Sequence, residues 1–185
     1  MKVFEQPGPV NTDETCRIAI ERAMLISAPI LSATTEGLSG ARLCEIAKET
    51  GYQGSIVVVT HAFGAREPGI NTLKDEHRET MLRHGARLVT AAHALSGAER
   101  AISGKFQGAY PVEIIAHSLR MLSQGVKVAV EIGSMALDAG AIRYGSDVVC
   151  IGGTGRGLDT AVVMTPSHAN RIFDTKIHEV LCMPY

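Results

Sequence analysis

Apolar positions along the chain alternate between blocks of helical spacing and short continuous runs. Apolar residues at i, i+3, i+4 and i+7 predict amphipathic helices that begin near residues 12, 40, 73 and 111. The runs between them are β-branched and uninterrupted, as in strands of a parallel sheet that is covered on both faces. The predicted strands are residues 30–33, 55–60, 86–89, 147–151, 161–164 and 177–182.

Two further segments carry local signals of a different kind. Ser96 and Glu99 have the spacing of a capping box, which predicts a short helix starting there. In residues 126–132 valine and isoleucine alternate with other residues, which predicts a strand, whereas residues 135–140 look helical and end on a glycine.

Strands that alternate with helices predict an α/β protein built from βαβ units around a mostly parallel sheet. No break in composition marks a second domain and no internal repeat is visible, so residues 1–185 are interpreted as a single domain. An apolar fraction of 45% with 20% charged residues is typical of globular proteins.

Charge and cysteine content narrow the function classes. With 18 basic and 19 acidic residues the net charge is −1, which argues against general nucleic-acid binding. The cysteines are scattered, which is typical of buried free thiols in a protein of a reducing compartment; they are Cys16, Cys44, Cys150 and Cys182. Neither an apolar leader nor an 18-residue apolar run is present, so a cytoplasmic protein that does not enter membranes is expected.

Glycine is over-represented, with 19 in 185 residues, about 10% against a usual ~7%. Part of this surplus follows predicted strands, in three loops at one expected edge of the sheet. Because glycine permits close backbone approach, this concentration predicts a ligand site there. The glycines concerned are Gly37, Gly40, Gly64, Gly69, Gly152, Gly153, Gly155 and Gly157.

Two of these loops have the chemistry of a phosphate site. Residues 34–40 lead into a helix N-terminus and carry hydroxyls on Thr34, Thr35 and Ser39. Residues 152–157 combine four glycines with Arg156, whose guanidinium can hold a phosphate. Either loop, taken alone, is equally well interpreted as a tight turn, and neither matches a P-loop or a dinucleotide-binding motif.

Other candidate residues are less specific. His61, Phe63 and Gly64 follow the second predicted strand, and His61 is the candidate acid or base. Asp159 could accept hydrogen bonds from ligand hydroxyls or orient Arg156. Glu131 and Asp138 are expected to be exposed or capping acids, and a metal cluster or a nucleophile–base pair is not recognisable. Four other histidines are predicted to be surface or packing residues: His77, His84, His117 and His178.

Residues 30–40, 56–60 and 147–166 resemble the C-terminal α/β domain of pyruvate kinase. The whole chain is more similar to a family of stand-alone proteins built on that domain, through residues 60–64, 93–100, 135–140 and 152–159. Members of that family look to bind flavin mononucleotide (FMN). The catalytic barrel of pyruvate kinase has no counterpart in these residues, so kinase activity is not implied.

This resemblance implies a three-layer α/β/α sandwich with strand order 3-2-1-4-5 and an antiparallel edge strand. It also implies a helix over residues 126–139, against the alternation, and this implication is adopted. In pyruvate kinase the two matching loops surround a sugar-phosphate effector site. The expected cofactor-binding residues are Ser32, Thr34, Thr35, Gly37, Ser39, Gly40, His61, Phe63, Gly64, Gly153, Thr154, Gly155, Arg156, Gly157 and Asp159.

In that strand order the first and fourth strands are neighbours, and ligands of open sheets bind at such a switch point. We therefore expect one phosphate between the two loops. Three functions remain open: a phospholigand-binding protein, with FMN as the first choice; an enzyme that uses His61 as acid or base; and a ligand-responsive regulatory module. A homo-oligomer also stays open.

Overall fold

The computed structural model describes all residues from 1 to 185 and contains seven strands and six α-helices, with at least one α-helix between each pair of successive strands from the first strand to the fifth. Short 3₁₀ turns cover Pro9–Asn11 and Ala169–Asp174. The strands are β1 Lys2–Phe4, β2 Ile30–Thr34, β3 Ile56–Thr60, β4 Arg87–Thr90, β5 Val148–Gly152, β6 Thr160–Thr165 and β7 Lys176–Pro184. The helices are α1 Thr12–Ile26, α2 Leu38–Glu49, α3 Asp75–Arg83, α4 Glu99–Phe106, α5 Pro111–Arg120 and α6 Gln124–Asp138.

The strands form one sheet in the order β1-β7-β6-β5-β2-β3-β4. Its five strands from β4 to β6 therefore follow the expected 3-2-1-4-5 order, and β2, β3, β4 and β5 are mutually parallel. The antiparallel strand is β6, but it is not at the edge, because β7 pairs with it on its other side. The short β1 then pairs in parallel with β7 and forms the edge, an element that the sequence patterns did not predict.

Helices cover the sheet on both faces, which confirms the three-layer α/β architecture. Alternate residues of each central strand enter opposite layers. Ile30 and Val58 pack in the layer that contains α1 and α2, whereas Leu31 and Val57 pack in the layer that contains α6. Two separate apolar cores result, and this explains why β2, β3 and β5 show no polar alternation.

Residues 124–138 form a helix, so the strand predicted from the alternation of residues 126–132 is wrong and the expected helix is confirmed. The Ser123 hydroxyl caps α6 by accepting a hydrogen bond from the backbone N–H of Val126 at 3.0 Å. Almost the whole circumference of α6 is buried against β2, β5, β6 and α5. Because buried positions of α6 follow one another at every spacing, the alternation of valine and isoleucine within it does not identify a strand.

The capping-box prediction is also wrong in its geometry. The α4 helix does begin at Glu99, but no side chain caps its N-terminus. The Glu99 carboxylate instead accepts a hydrogen bond from the backbone N–H of Glu113 at 3.0 Å, which ties α4 to α5. None of the six helices combines the length and apolar character that crossing a bilayer requires.

Candidate functional site

A cleft of about 200 Å³ opens at the carboxyl edge of the sheet, where β2 and β5 lie side by side. The chain continues from β2 towards β3 on one side, and β5 is added later on the other side, which makes this the topological switch point. We call residues 34–40 the threonine loop and residues 152–157 the glycine loop. Both line the cleft, in the crevice where open α/β sheets bind ligands.

Eight of the predicted site residues line this single cleft, although they come from three separate loops. The structure thus brings together the carboxyl ends of β2, β3 and β5, as expected for neighbouring parallel strands. The eight are Thr34, Thr35, Ser39, His61, Gly153, Gly155, Arg156 and Gly157.

The other seven predicted residues do not line the cleft. Ser32 is buried within β2, where its hydroxyl donates to the backbone oxygen of Ala33. Phe63 is 63% exposed on the loop that follows β3, so the expected aromatic wall of the cleft is not formed by this residue. Also away from the lining are Gly37, Gly40, Gly64, Thr154 and Asp159.

Asp159 is fully buried and anchors the N-terminal segment to the glycine loop. Its carboxylate accepts hydrogen bonds from the backbone N–H of Gly8 at 2.8 Å and from the Thr160 hydroxyl at 2.9 Å. Of the two roles considered for Asp159, orienting Arg156 is not observed, because the carboxylate that pairs with Arg156 is that of Glu36. The buried carboxylate supplies a strong hydrogen-bond acceptor for the backbone N–H of Gly8, where the N-terminal segment crosses the loop.

Most glycines at this edge are required by protein packing. A Cβ on Gly153 would lie 2.0 Å from the Gly157 carbonyl oxygen, and a Cβ on Gly157 would lie 2.3 Å from Pro9 Cα. Gly37, with φ at +104°, similarly abuts His77 of α3. In the glycine loop only Gly155 has open space where a Cβ would lie. The surplus of glycine is therefore explained mainly by close backbone packing.

Arg156 supplies the cation of the cleft, and it faces the threonine loop. Its Nη1 lies 3.2 Å from Oε1 of Glu36, so an ion pair joins the two loops. Arg66 and Lys74 each approach the same carboxylate at 3.9 Å. Three cations around one carboxylate leave an excess of positive charge at the mouth, which favours an anionic ligand.

The hydroxyls of the threonine loop are partly committed to the loop itself. Thr34 and Ser39 share a hydrogen bond of 3.0 Å, and the Gly37 N–H donates to the Thr34 hydroxyl at 3.1 Å. The N-terminus of α2 has no side-chain cap of its own. These hydrogen bonds instead hold the start of the helix beside the cleft. The first turn of α2 consequently presents the positive end of the helix dipole at this edge.

One wall of the cleft was missed by the sequence reasoning. It is built by α6 together with His93, which follows β4. These residues are distant in sequence from both loops, and three of the α6 positions lie in residues 126–132, whose alternation indicates a strand, so the local sequence pattern did not point to them. The missed lining residues of this wall are His93, Gln124, Val128, Glu131, Ile132 and Met135.

Glu131, expected to be exposed or capping, is only 3% exposed and forms a buried ion pair with Lys127 at 2.5 Å. Its other oxygen accepts a hydrogen bond from the Leu95 N–H at 2.9 Å. His93 Nδ1 lies 3.8 Å from Glu131, and His93 packs edge-to-face against His61 with ring centroids 4.8 Å apart. A chain of ionisable groups therefore runs from the interior of α6 to the cleft.

Burial lowers the pKa of both imidazoles, and His93 lowers that of His61 further. Burial also lowers the pKa of Lys127, although its ion pair with Glu131 opposes that shift. Both rings are thus favoured in the neutral form near pH 7. The cleft combines a cationic mouth, an apolar side on α6 and two neutral imidazoles.

The family model of the pyruvate kinase alpha/beta domain matches residues 13–164 of this chain. The chain belongs to that family. The matched part of this pyruvate kinase alpha/beta domain protein runs from α1 into β6 and includes both loops of the cleft. The strands β1 and β7 lie outside it. Without them β6 would be the antiparallel edge strand that the resemblance implied.

Proposed function

We propose that this protein binds a phosphorylated small molecule in the cleft between the threonine and glycine loops, with FMN as the first candidate. The observation that carries this proposal is the convergence of the two loops at the switch point with Arg156 between them. A phosphate there would meet the guanidinium of Arg156, the open backbone at Gly155 and the N-terminal end of α2.

The residues of the cleft suit the phosphate end of FMN well. The open surface of Gly155 admits a bulky anion, and Arg156 can exchange its carboxylate partner for a phosphate. The α6 side, with Val128, Ile132 and Met135, offers apolar contact to the rest of the ligand. Because ~300–1,000 Å³ is usual for pockets that enclose drug-sized ligands, a cleft of about 200 Å³ would enclose only part of FMN.

We place this binding function in a reducing compartment such as the cytoplasm. All four cysteines are unpaired and buried, although proteins of oxidising compartments commonly form disulfides. Burial raises the pKa of the Cys44 thiol to about 11, and a protonated thiol is a poor nucleophile. The cysteines therefore act as packing residues in this proposal.

The test is the visible absorbance spectrum of the purified protein, followed by titration with FMN. A flavin spectrum, or saturable quenching of added FMN fluorescence, is expected. The matched variant is Arg156→Gln, which keeps a polar side chain but removes its charge and shortens it, and it should bind FMN more weakly. A colourless protein that leaves FMN fluorescence unchanged would refute FMN as the ligand.

Acid–base catalysis by His61 is a second candidate function, favoured by the neutral imidazole on the cleft wall. Under this proposal His61→Ala abolishes turnover but leaves FMN binding at pH 8 intact. If no class of oxidant or reductant changes the redox state of the bound flavin, the flavoenzyme form of this candidate fails.

A further inference from the structure

His61 occupies an unusual position for a polar side chain. It lines the cleft, yet its Nδ1 is buried and has no hydrogen-bond partner within the protein. Buried polar atoms without partners are rare, because leaving one unpaired costs about 1–3 kcal/mol. No hydrogen bond to Nδ1 therefore fixes the protonation state of His61 in the free protein.

His93, the neighbour of His61, is fixed in its neutral form by its own contacts. Its Nε2 accepts a hydrogen bond from the Ala62 N–H at 3.4 Å, so that nitrogen carries no proton. Its Nδ1 faces Glu131. Protonating His93 would break the bond to Ala62, whereas protonating His61 breaks no hydrogen bond made by its buried Nδ1.

The charges that face His61 come from several elements and do not favour its cation in the free protein. Arg66 on its own loop and Arg100 on α4 oppose protonation, and Glu131 on α6 favours it. The Glu131 charge, however, is already paired with Lys127. Arg156, on the glycine loop, adds a further positive charge to the lining. The free cleft therefore keeps His61 neutral.

A phosphate monoester reverses this balance, because it brings a charge of about −1.5 to −2 at pH 7 into the cleft. A negative charge close to an imidazole favours its protonated form. We propose that His61 takes up a proton when the cleft binds a phosphate-bearing ligand, so that binding is tighter at lower pH. This inference rests on the function proposed above.

The direction of the pH dependence follows from the two states of His61. Burial lowers its pKa in the free protein, and the bound anion raises that pKa. Between these two values affinity increases as pH falls, by at most about tenfold per pH unit for one linked proton. Above the higher value His61 is neutral in both states, and the affinity no longer depends on it.

The experiment is calorimetric titration with FMN at pH 7.5 in buffers of different ionisation enthalpy, which counts the protons exchanged on binding. Wild type should take up a measurable fraction of a proton, and His61→Gln should take up none while still binding FMN. His93→Gln is the matched control, because glutamine can still accept from Ala62 and the uptake should persist. At pH 7.5 the phosphate of FMN is already almost fully dianionic, because its second pKa is about 6, so FMN itself releases few protons on binding.

Equal proton exchange in wild type and His61→Gln would overturn the inference, as would loss of uptake in His93→Gln alone. Failure of FMN to bind any of the proteins would instead refute the proposed function, and the inference with it. If His61→Gln does not fold, the imidazole carbon shifts of labelled wild type provide the same test. On FMN addition the His61 ring should move toward the imidazolium shift, and an unmoved ring would refute the proposal.

Discussion

The threonine loop and the glycine loop line the same cleft, but they commit their groups to the protein very differently. In the threonine loop the hydroxyls of Thr34 and Ser39 bond each other, and Gly37 packs against α3. In the glycine loop Gly153 and Gly157 are also packed, but Gly155 is open and the Arg156 side chain is 61% exposed. One loop chiefly supports the cleft, and the other offers a ligand free contact.

This difference shows that glycine content and ligand contact are separate properties. The positions at which a Cβ would collide with protein atoms explain the shape of the loops and would be needed without any ligand. In the glycine loop, the positions free of such protein packing are the backbone around Gly155 and the exposed guanidinium of Arg156. Substitutions at the packed glycines of this loop should therefore lower the stability of the fold, whereas substitution of Arg156 should weaken ligand binding.

The largest effect is expected on stability, from Gly157→Ala. Its Cβ would lie 2.3 Å from Pro9 Cα, a backbone atom that cannot move away cheaply. Overpacking of this kind typically costs about 1–3 kcal/mol, and we expect a loss near the upper end of that range. Urea denaturation measures it, and an unchanged midpoint would mean that the N-terminal segment does not pack on the loop as described.

Arg156→Ala should have the largest effect on binding. Loss of a charge-assisted hydrogen bond to phosphate costs about 1.5–3 kcal/mol, so the Kd for FMN should rise roughly 10- to 150-fold. Because the side chain is exposed, the free energy of unfolding should change by no more than about 0.5 kcal/mol. Arg66→Ala is the control, and an equal loss of affinity in both variants would remove the special role of Arg156.

Gly155→Ala tests the open position of the same loop. Its Cβ meets nothing within 4 Å, but φ is +58°, a left-handed conformation that alanine adopts at a cost of about 1 kcal/mol. The unfolding free energy should fall by that smaller amount. A loss as large as that of Gly157→Ala would contradict the distinction between open and packed glycines.

The smallest effect is expected from Glu36→Gln in the threonine loop. Removing this carboxylate frees Arg156 from an exposed ion pair of the kind worth about 0.2–1 kcal/mol. FMN should then bind up to about fivefold more tightly. Weaker binding, measured by the same fluorescence titration, would mean that Glu36 positions Arg156 for the ligand instead of competing with it.

The resemblance to a known family implied the order of the five central strands, and the convergence of the loops followed from that order. Apolar runs locate β2, β3 and β5, and the parallel arrangement then places their carboxyl ends together. The same resemblance was needed for the helix α6, since the alternation of residues 126–132 within it indicates a strand. The strand β1 has three residues, too few to carry a pattern.

The α6 side of the cleft could not be predicted, and the reason is physical. Glu131 and Lys127 are buried as a pair, an arrangement that a single sequence cannot distinguish from an exposed i, i+4 pair. His93 meets His61 only because β3 and β4 are neighbours in the sheet. Contacts of this kind depend on the tertiary structure, so the proposed proton linkage became visible only there.

The most direct test of phosphate recognition in this cleft compares FMN with riboflavin, which lacks the phosphate. Affinities of wild type and Arg156→Ala for both ligands form a double-mutant cycle. We expect wild type to prefer FMN by roughly tenfold or more, and Arg156→Ala to lose most of that preference. Equal affinity of wild type for FMN and riboflavin would contradict the account.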